Sequence, residues 1–137
     1  MKPEEIEAQS FGIIDREAGP HGYSPDAWQI VRRIIHTSAD FEYLRTVRIH
    51  PDAIAPGVAA IHGSRKIITD TNMARTGIRR ADLDRFGAAA VCHMDDPAIH
   101  HAARQAGTTR AAAAVDAAAA EVEGGIYVIG NAPTALL

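Results

Sequence analysis

Polar residues that could bind or protonate a small molecule occur in three short segments, each directly after an apolar run. The segments are TDTNM at 69–73, CHMDDP at 92–97 and GNAPT at 130–134. In an open parallel sheet a ligand lies outside the carboxyl ends of the strands, so such segments are candidate binding loops. The third segment also has a proline suited to the first turn of a helix. The pattern favours a ligand-binding corner, with an ordinary strand-to-helix connection as the open alternative.

A histidine near a helix end is the candidate for proton transfer. Ser24 suits the N-cap and Pro25 the first turn of a helix whose apolar stripe runs through Ile30, Val31 and Ile34. His36 lies off the centre of that stripe, close to the C-terminal end, where the helix dipole favours an imidazolium. Histidine ordinarily titrates near neutrality, so His36 is a candidate general acid or base. A surface histidine without a chemical role is the alternative.

Other kinds of catalytic site find little support. His93, His100 and His101 lie near Asp95 and Asp96, but adjacent histidines point about 100° apart on a helix, so no metal site is predicted. The chain has no phosphate-loop motif, no dinucleotide-binding motif and no Gly-x-Ser-x-Gly elbow. The single cysteine lies in an apolar segment and excludes an internal disulfide. The residues therefore predict a site that uses no cofactor.

The charge pattern suggests an anionic small molecule. The net charge of −3 argues against non-specific nucleic-acid binding, which requires a basic surface. All of the 14 cationic residues except Lys2 and Lys66 are arginines, whose planar guanidinium pairs with carboxylates at two points. Compositional bias in an alanine-rich chain is the alternative. An acidic N-terminus without a signal-peptide core, and no apolar run of about 18 residues, predict a cytoplasmic protein without a membrane partner.

The elements that must position these residues alternate between helix and strand. We predict helices over 3–18, 24–40 and 51–63, a helical turn at 71–78, and two helices between 98 and 123 divided by Gly107. The predicted strands are 42–50, 66–70, 88–94 and 125–129, and 79–87 is predicted to be a polar connector. Because no hairpin signal joins neighbouring strands, one α/β domain over 1–137 is expected, with a mainly parallel sheet and helices on both faces.

Five segments, in this order, resemble the precorrin-8X methylmutase family of the cobalamin pathway. They are SFGIIDREA, IVRRIIHTSADFEY, IITDTNMARTGI, AGTTRAAAAV and IYVIGNAPTAL. The resemblance implies an isomerase that moves a methyl group between adjacent carbons of a corrin precursor, giving hydrogenobyrinic acid or, in the anaerobic route, cobyrinic acid. It further implies a three-layer, flavodoxin-like fold, a homodimer, no redox cofactor, and a tetrapyrrole substrate, either precorrin-8 or cobalt-precorrin-8.

The resemblance also assigns residues. His36 matches the family's catalytic histidine, which is expected to protonate the macrocycle. Ser10 and Arg110 match residues that contact the substrate. The remaining expected substrate-binding residues lie in segments that line the pocket: Asp70, Thr71, Met73, Asn131 and Thr134.

Family members are expected to continue beyond GNAPTAL, so the sequence indicates a truncated or shortened member. Two other interpretations stay open: a non-catalytic tetrapyrrole-binding protein or inactive relative, and a fragment that folds with a partner chain. We also expect an uncovered sheet face around Ile126, Val128 and residues 136–137. A homo-oligomer, most simply a dimer, would bury that face through its alanine-rich helix or an exchanged element.

Overall fold

The computed structural model describes residues 2–136, which fall into two units, 2–54 and 55–136. The first unit is helical, with α1 at Pro3–Ala18, α2 at Pro25–Ser38 and α3 at Tyr43–Thr46. As predicted, the Ser24 hydroxyl caps α2 by accepting the N–H of Ala27 at 3.3 Å. The predicted organisation as a single domain stays a prediction.

The core of the first unit combines aliphatic side chains with one tryptophan. Its buried residues are Ile14, Trp28, Val31 and Ile35. The predicted stripe of α2 was therefore wrong in part, because Ile30 is 41% exposed. The large Trp28 side chain sets the buried face, and its Nε1–H donates to Asp15 Oδ1 at 2.9 Å.

The strand predicted at 42–50 is absent from the described structure. Tyr43–Thr46 form α3 and the following residues are extended without a strand partner. Tyr43 and Val47 both pack against the core of the unit. Their spacing of four residues suits one turn of a helix as well as alternation along a strand, which is why the periodicity misled.

The second unit contains a parallel sheet, so the predicted α/β class is confirmed. In the described residues the sheet has strands β1 at Ile67–Thr69, β2 at Ala90–Val91 and β3 at Ile126–Val128. The strand order is β2-β1-β3, and both pairings are parallel. The central strand β1 is buried at all three positions, as expected for an apolar strand with neighbours on both sides.

Helices connect these strands, as parallel pairing requires. β1 and β2 are connected through α5 at Asn72–Gly77 and α6 at Arg80–Phe86, and β2 and β3 through α7 at Pro97–Ala106 and α8 at Arg110–Ala118. A further helix, α4 at Ile54–His62, precedes β1, and a 3₁₀ helix at Pro133–Leu136 follows β3. The division at Gly107 is confirmed, and its φ of +63° is one that glycine adopts without strain.

The polar connector predicted at 79–87 was wrong, because most of it is α6. Charge pairs at helical spacing, Arg79 with Asp82 and Arg80 with Asp84, line its exposed side.

Alanines of α8 pack against α7 in a small apolar cluster that includes Ile99. Within residues 2–136, no helix has the length and apolar character needed to cross a membrane.

Candidate functional site

The first unit brings Ser10 and His36 together. Ser10 lies on α1 and His36 in the last turn of α2, and Ser10 Oγ is 3.0 Å from His36 Nδ1. Both residues are half-buried. The Phe11 ring lies beside the imidazole, with ring centroids 5.0 Å apart. The histidine that was predicted from its helix position thus has one nitrogen engaged by a hydroxyl from a neighbouring helix.

A cavity of about 300 Å³ opens beside this pair. Polar Ser10, Glu17 and His36 line it together with apolar residues that include Ile13, Ile35 and Phe41. An apolar cavity with few convergent polar groups is the usual form of a small-molecule site.

Two arginines flank Phe11 on its ring faces. The guanidinium carbons of Arg32 and Arg33 lie 4.5 Å and 4.8 Å from the ring centroid. Arg32 donates to Asp15 at 3.0 Å and Arg33 to Glu7 at 2.5 Å, so each guanidinium also has a carboxylate partner. This arrangement holds Phe11 in place and, with it, one side of the His36 ring.

The Ser10–His36 contact engages Nδ1, and in a charged imidazolium ring Nδ1–H donates to the Ser10 oxygen. When the Ser10 oxygen accepts from Nδ1–H, that proton stays on Nδ1 in both the charged and the neutral ring. The proton that leaves or returns is then the one on Nε2. The pair therefore suits general acid–base chemistry at Nε2.

In the second unit, Asp70 binds the predicted GNAPT corner. It follows β1 directly, and its carboxylate accepts three backbone N–H groups: Gly130 to Oδ1 at 2.8 Å, Asn131 to Oδ2 at 2.9 Å, and Ala132 to Oδ2 at 2.7 Å. Asp70 is only 1% exposed. Sequence reasoning placed this residue in a segment that lines a pocket but missed that its carboxylate is occupied by a loop about 60 residues away.

The surroundings of Asp70 keep it ionised. Burial raises the pKa of the Asp70 carboxyl, but the hydrogen bonds from residues 130–132 and Thr71 together lower that pKa below its ordinary value. The pKa of the Tyr127 phenol, on β3, is instead raised. Burial raises the pKa of the Tyr127 phenol above its ordinary value, and the nearby charges of Asp70 and Cys92 raise it further.

The other predicted residues of the second unit lie around the same corner or beside α8. The Thr71 side chain caps α5 by accepting the N–H of Ala74 at 3.2 Å. Met73, one residue into α5, is 68% exposed, and Asn131 is exposed on the loop. Thr134 accepts a hydrogen bond from the Thr109 hydroxyl at 3.0 Å.

Arg110 begins α8 directly after its Thr109 N-cap, and its side chain is exposed. Its Nη1 lies 3.1 Å from Nε2 of His100, which is also 3.2 Å from the Met94 carbonyl. An arginine can only donate and a carbonyl can only accept, so Nε2 accepts from Arg110 when it is unprotonated and donates to Met94 when it carries the proton. Sequence reasoning missed His100 as the partner of Arg110.

Within residues 2–136, no three His, Cys, Asp or Glu side chains gather in a way that could hold a metal ion. His93 instead lies 3.6 Å from Glu121, which also binds Lys66 at 2.6 Å. The predicted site residues therefore form one group in each unit: Ser10 with His36 in the first, and the other six around the loop and α8 in the second.

The fold and these groups define an α/β protein with a parallel sheet, a candidate proton donor and candidate carboxylate-binding residues. The family profile described as precorrin-8X methylmutase matches residues 5–137. The chain therefore belongs to the precorrin-8X methylmutase family.

Named relatives agree with this assignment. A cobalt-precorrin-8 methylmutase from Priestia megaterium is 39% identical over 137 residues, which are 100% of this chain and 61% of that protein. A cobalt-precorrin-8 methylmutase from Salmonella typhimurium is 43% identical over 142 residues, covering 99% of this chain and 68% of that protein. The chain thus spans about three fifths of the Priestia relative.

Solved structures show the same fold. The crystal structure of precorrin-8X methyl mutase from Thermus thermophilus superimposes with a TM-score of 0.85 at 42% identity. The match covers 96% of this chain and 64% of that one. A precorrin-8X methylmutase related protein gives a TM-score of 0.81 at 31% identity, over 92% of this chain and 65% of that one.

Proposed function

We propose that the protein is an isomerase that moves a methyl group between adjacent carbons of a corrin-precursor macrocycle. Membership of the precorrin-8X methylmutase family supports this reaction class. The observation that carries the proposal is the Ser10–His36 pair, because it supplies the proton donor that such a shift requires, beside a largely apolar cavity.

In the proposed mechanism, the His36 imidazolium transfers its Nε2 proton to a nitrogen of the macrocycle. The protonated macrocycle stabilises the charge that develops while the C–CH₃ bond breaks at one ring carbon and forms at its neighbour. His36 is left neutral with its proton on Nδ1, donating to Ser10 Oγ. After migration Nε2 takes the proton back, so substrate and product have the same composition.

The proposed substrate is precorrin-8 or cobalt-precorrin-8, an apolar macrocycle with carboxylates at its rim. A substrate of this kind needs an apolar surface and cationic groups for its carboxylates. Arg110 is exposed and follows a helix N-cap, so it is the proposed carboxylate partner. Thr71, Met73, Asn131 and Thr134 are proposed to contact the macrocycle, and Asp70 is proposed to belong to the site with them.

We further propose that the protein works as a homodimer. Exposed apolar side chains that follow β3 in the chain support an interface, since Ile129 is 37% and Leu136 is 73% exposed. Exposed apolar surface favours association with a second surface.

Incubation with precorrin-8, followed by visible absorption, tests the proposed reaction. Conversion to the product spectrum supports the isomerase. A shifted but unconverted substrate spectrum would instead favour a non-catalytic tetrapyrrole-binding protein. An unchanged spectrum would contradict both.

A further inference from the structure

The Asp70 carboxylate accepts three hydrogen bonds from the backbone of one loop. Oδ1 accepts the N–H of Gly130, and Oδ2 accepts the N–H groups of Asn131 and Ala132, all at 2.7–2.9 Å. At 1% exposure, the side chain has no surface left for a ligand. Hydrogen bonds to a charged acceptor are about twice as strong as neutral ones, so this cluster fixes the loop firmly.

The loop is also tightly packed against the start of α5. A Cβ added to Gly130 would lie 2.9 Å from the Cβ of Ala74, closer than two carbon atoms can pack. Asp70 N–H donates to the Val128 carbonyl at 3.0 Å, so its backbone also holds the end of β3. The loop therefore has little freedom to move while these contacts persist.

The loop connects Asp70 to the proposed carboxylate partner. It leads into the 3₁₀ helix, whose Thr134 accepts from the Thr109 hydroxyl at 3.0 Å. Thr109 in turn accepts the N–H of Ala112 at 3.1 Å and so caps α8. Arg110 is the first residue of that helix. A shift of the loop would thus be transmitted through two hydroxyls to the turn that carries Arg110.

We propose that Asp70 is a positioning residue that orders the 130–134 loop for substrate binding without contacting the substrate. This inference rests on the proposed function, because the loop's Asn131 and Thr134 are the proposed contacts. It changes the role of Asp70 from a pocket-lining residue to the internal anchor of the residues that line the pocket.

Two substitutions of Asp70 remove different numbers of hydrogen-bond acceptors from the loop. Asp70→Asn keeps one oxygen, which can retain the Asn131 and Ala132 N–H groups, but sets an NH₂ group against Gly130 N–H. Asp70→Ala removes all three acceptors. Asp82→Asn is the matched control, since Asp82 is an exposed carboxylate on α6 that pairs with Arg79 and does not contact the loop.

Hydrogen–deuterium exchange of the full chain tests the anchor independently of activity. We expect the amides of residues 131 and 132 to exchange about tenfold faster or more in Asp70→Ala. Asp70→Asn should give a smaller increase, largest at residue 130. The Asp70 amide, which donates to Val128, should stay protected and so report an intact sheet. Unchanged exchange at 130–132 in both variants would overturn the proposal.

A double-mutant cycle separates positioning from a purely structural role. Affinity is measured for cobyrinic acid, the corrinoid product implied by the resemblance, by its visible absorption. Asn131→Ala should weaken binding in the natural chain and add nothing further in the Asp70→Ala background, because the loop has already lost all three of its hydrogen bonds to residue 70. Additive losses would overturn the proposal, since they would mean that Asp70 acts independently of the loop.

The two proposals fail in distinguishable ways. If exchange rises at 130–132 but the natural chain does not bind cobyrinic acid, the anchor stands and the proposed substrate is contradicted. If the natural chain binds and Asp70→Ala leaves both exchange and affinity unchanged, the anchor is overturned and the proposed function stands. Asp82→Asn should match the natural chain in both measurements.

Discussion

The residues proposed to carry the chemistry each have a specific partner. His36 has Ser10 at Nδ1, and Nε2 is the nitrogen proposed to exchange the proton. Arg110 has His100 on Nη1, which orients the guanidinium while leaving other donors for a ligand. Asp70 has three N–H groups and is fully occupied. We therefore expect different effects for the three residues: a lower reaction rate without His36, weaker substrate binding without Arg110, and a change in the pH dependence of stability without Asp70.

We expect His36→Ala to lower the isomerisation rate by about 10²–10⁴-fold and to leave tetrapyrrole binding largely intact. The substitution removes the proton donor but little binding surface. Conversion and binding are both followed by visible absorption of precorrin-8. His101→Ala, which changes an exposed histidine on α7, is the control and should behave as the natural chain. Natural turnover in His36→Ala would exclude His36 as the acid.

Arg110→Lys should weaken binding of the carboxylate-rich tetrapyrrole by about tenfold or more. An ammonium group is a point donor and cannot both contact His100 and pair with a carboxylate at two points. Affinity is measured by titration against visible absorption. Arg104→Lys, an exposed change in the last turn of α7, is the control. Equal affinity for Arg110→Lys and the natural chain would show that Arg110 does not bind substrate.

Because the pKa of Asp70 is lowered in the folded chain, the free energy of unfolding should fall in acid. In the unfolded chain the carboxyl takes up a proton near its ordinary pKa of 3.8, whereas the folded carboxyl has a lowered pKa and resists protonation. Its stabilising contribution is thus present above pH 3.8, declines below it, and is lost as the pH falls through the folded pKa.

Urea unfolding from about pH 6 to about pH 2 measures this contribution. The free energy of unfolding of the natural chain should drop more steeply below pH 3.8 than that of Asp70→Asn, which has no proton to bind at that position. Parallel curves for the two proteins would contradict the assignment of the acid sensitivity to Asp70.

The elements depend on the close approach of β1 and β3. Lys66 O, just before β1, accepts the N–H of Ile126 at 3.2 Å at the start of β3. Gly125 lies at this crossing, where a Cβ would be 2.6 Å from Lys66 O and 3.2 Å from Val122 O. Both neighbours are backbone atoms, so no side-chain rotation can make room.

Gly125→Ala should therefore destabilise the fold by about 1–3 kcal/mol, because β1 and β3 must separate to accept the methyl group. Urea unfolding gives the free energy. Gly57→Ala is the matched control, since Gly57 lies within α4 with no atom within 4 Å of an added Cβ. That control should be neutral or stabilising by about 0.5–1 kcal/mol. Equal stability of Gly125→Ala and the natural chain would refute the steric argument.

The exposed apolar side chains bear on whether the protein associates with a second copy of itself. The buried alanines of α8 already pack within their own unit, Ala113 and Ala114 against α7. The exposed apolar side chains are elsewhere, with Ile129 and Leu136 following β3. The region after β3 is the surface that we propose a second copy buries, and the buried alanines of α8 are not available for that purpose.

We predict a homo-oligomer, most simply a two-fold dimer, in light scattering or sedimentation at about micromolar concentration. Leu136→Glu should shift the population toward monomer, because a charge in an apolar contact is unfavourable. Glu123→Gln, at an exposed position before β3, serves as the control for a change of charge. A well-folded, non-aggregating monomer of the natural chain would contradict the prediction.

Local signals in the sequence determined much of this protein. Caps and spacing predicted helices over 3–18, over 24–40 and between 98 and 123, and the structure has α1, α2, α7 and α8 there, with α2 ending at Ser38 and α8 at Ala118. These signals were readable because a cap or an apolar repeat acts over three or four residues. The same applies to the short apolar strand at 67–69. The position of His36 near a helix end was also readable for this reason.

Tertiary structure alone decided which distant groups meet. Ser10 and His36 are 26 residues apart, and Asp70 contacts a loop 60 to 62 residues away. Residues 43–46 are helical, and Tyr43 and the C-cap residue Val47 both pack partly buried against the core of the first unit, although their spacing also suits a strand. Partners this far apart in the chain are chosen by packing of the whole fold, which no local periodicity or cap encodes.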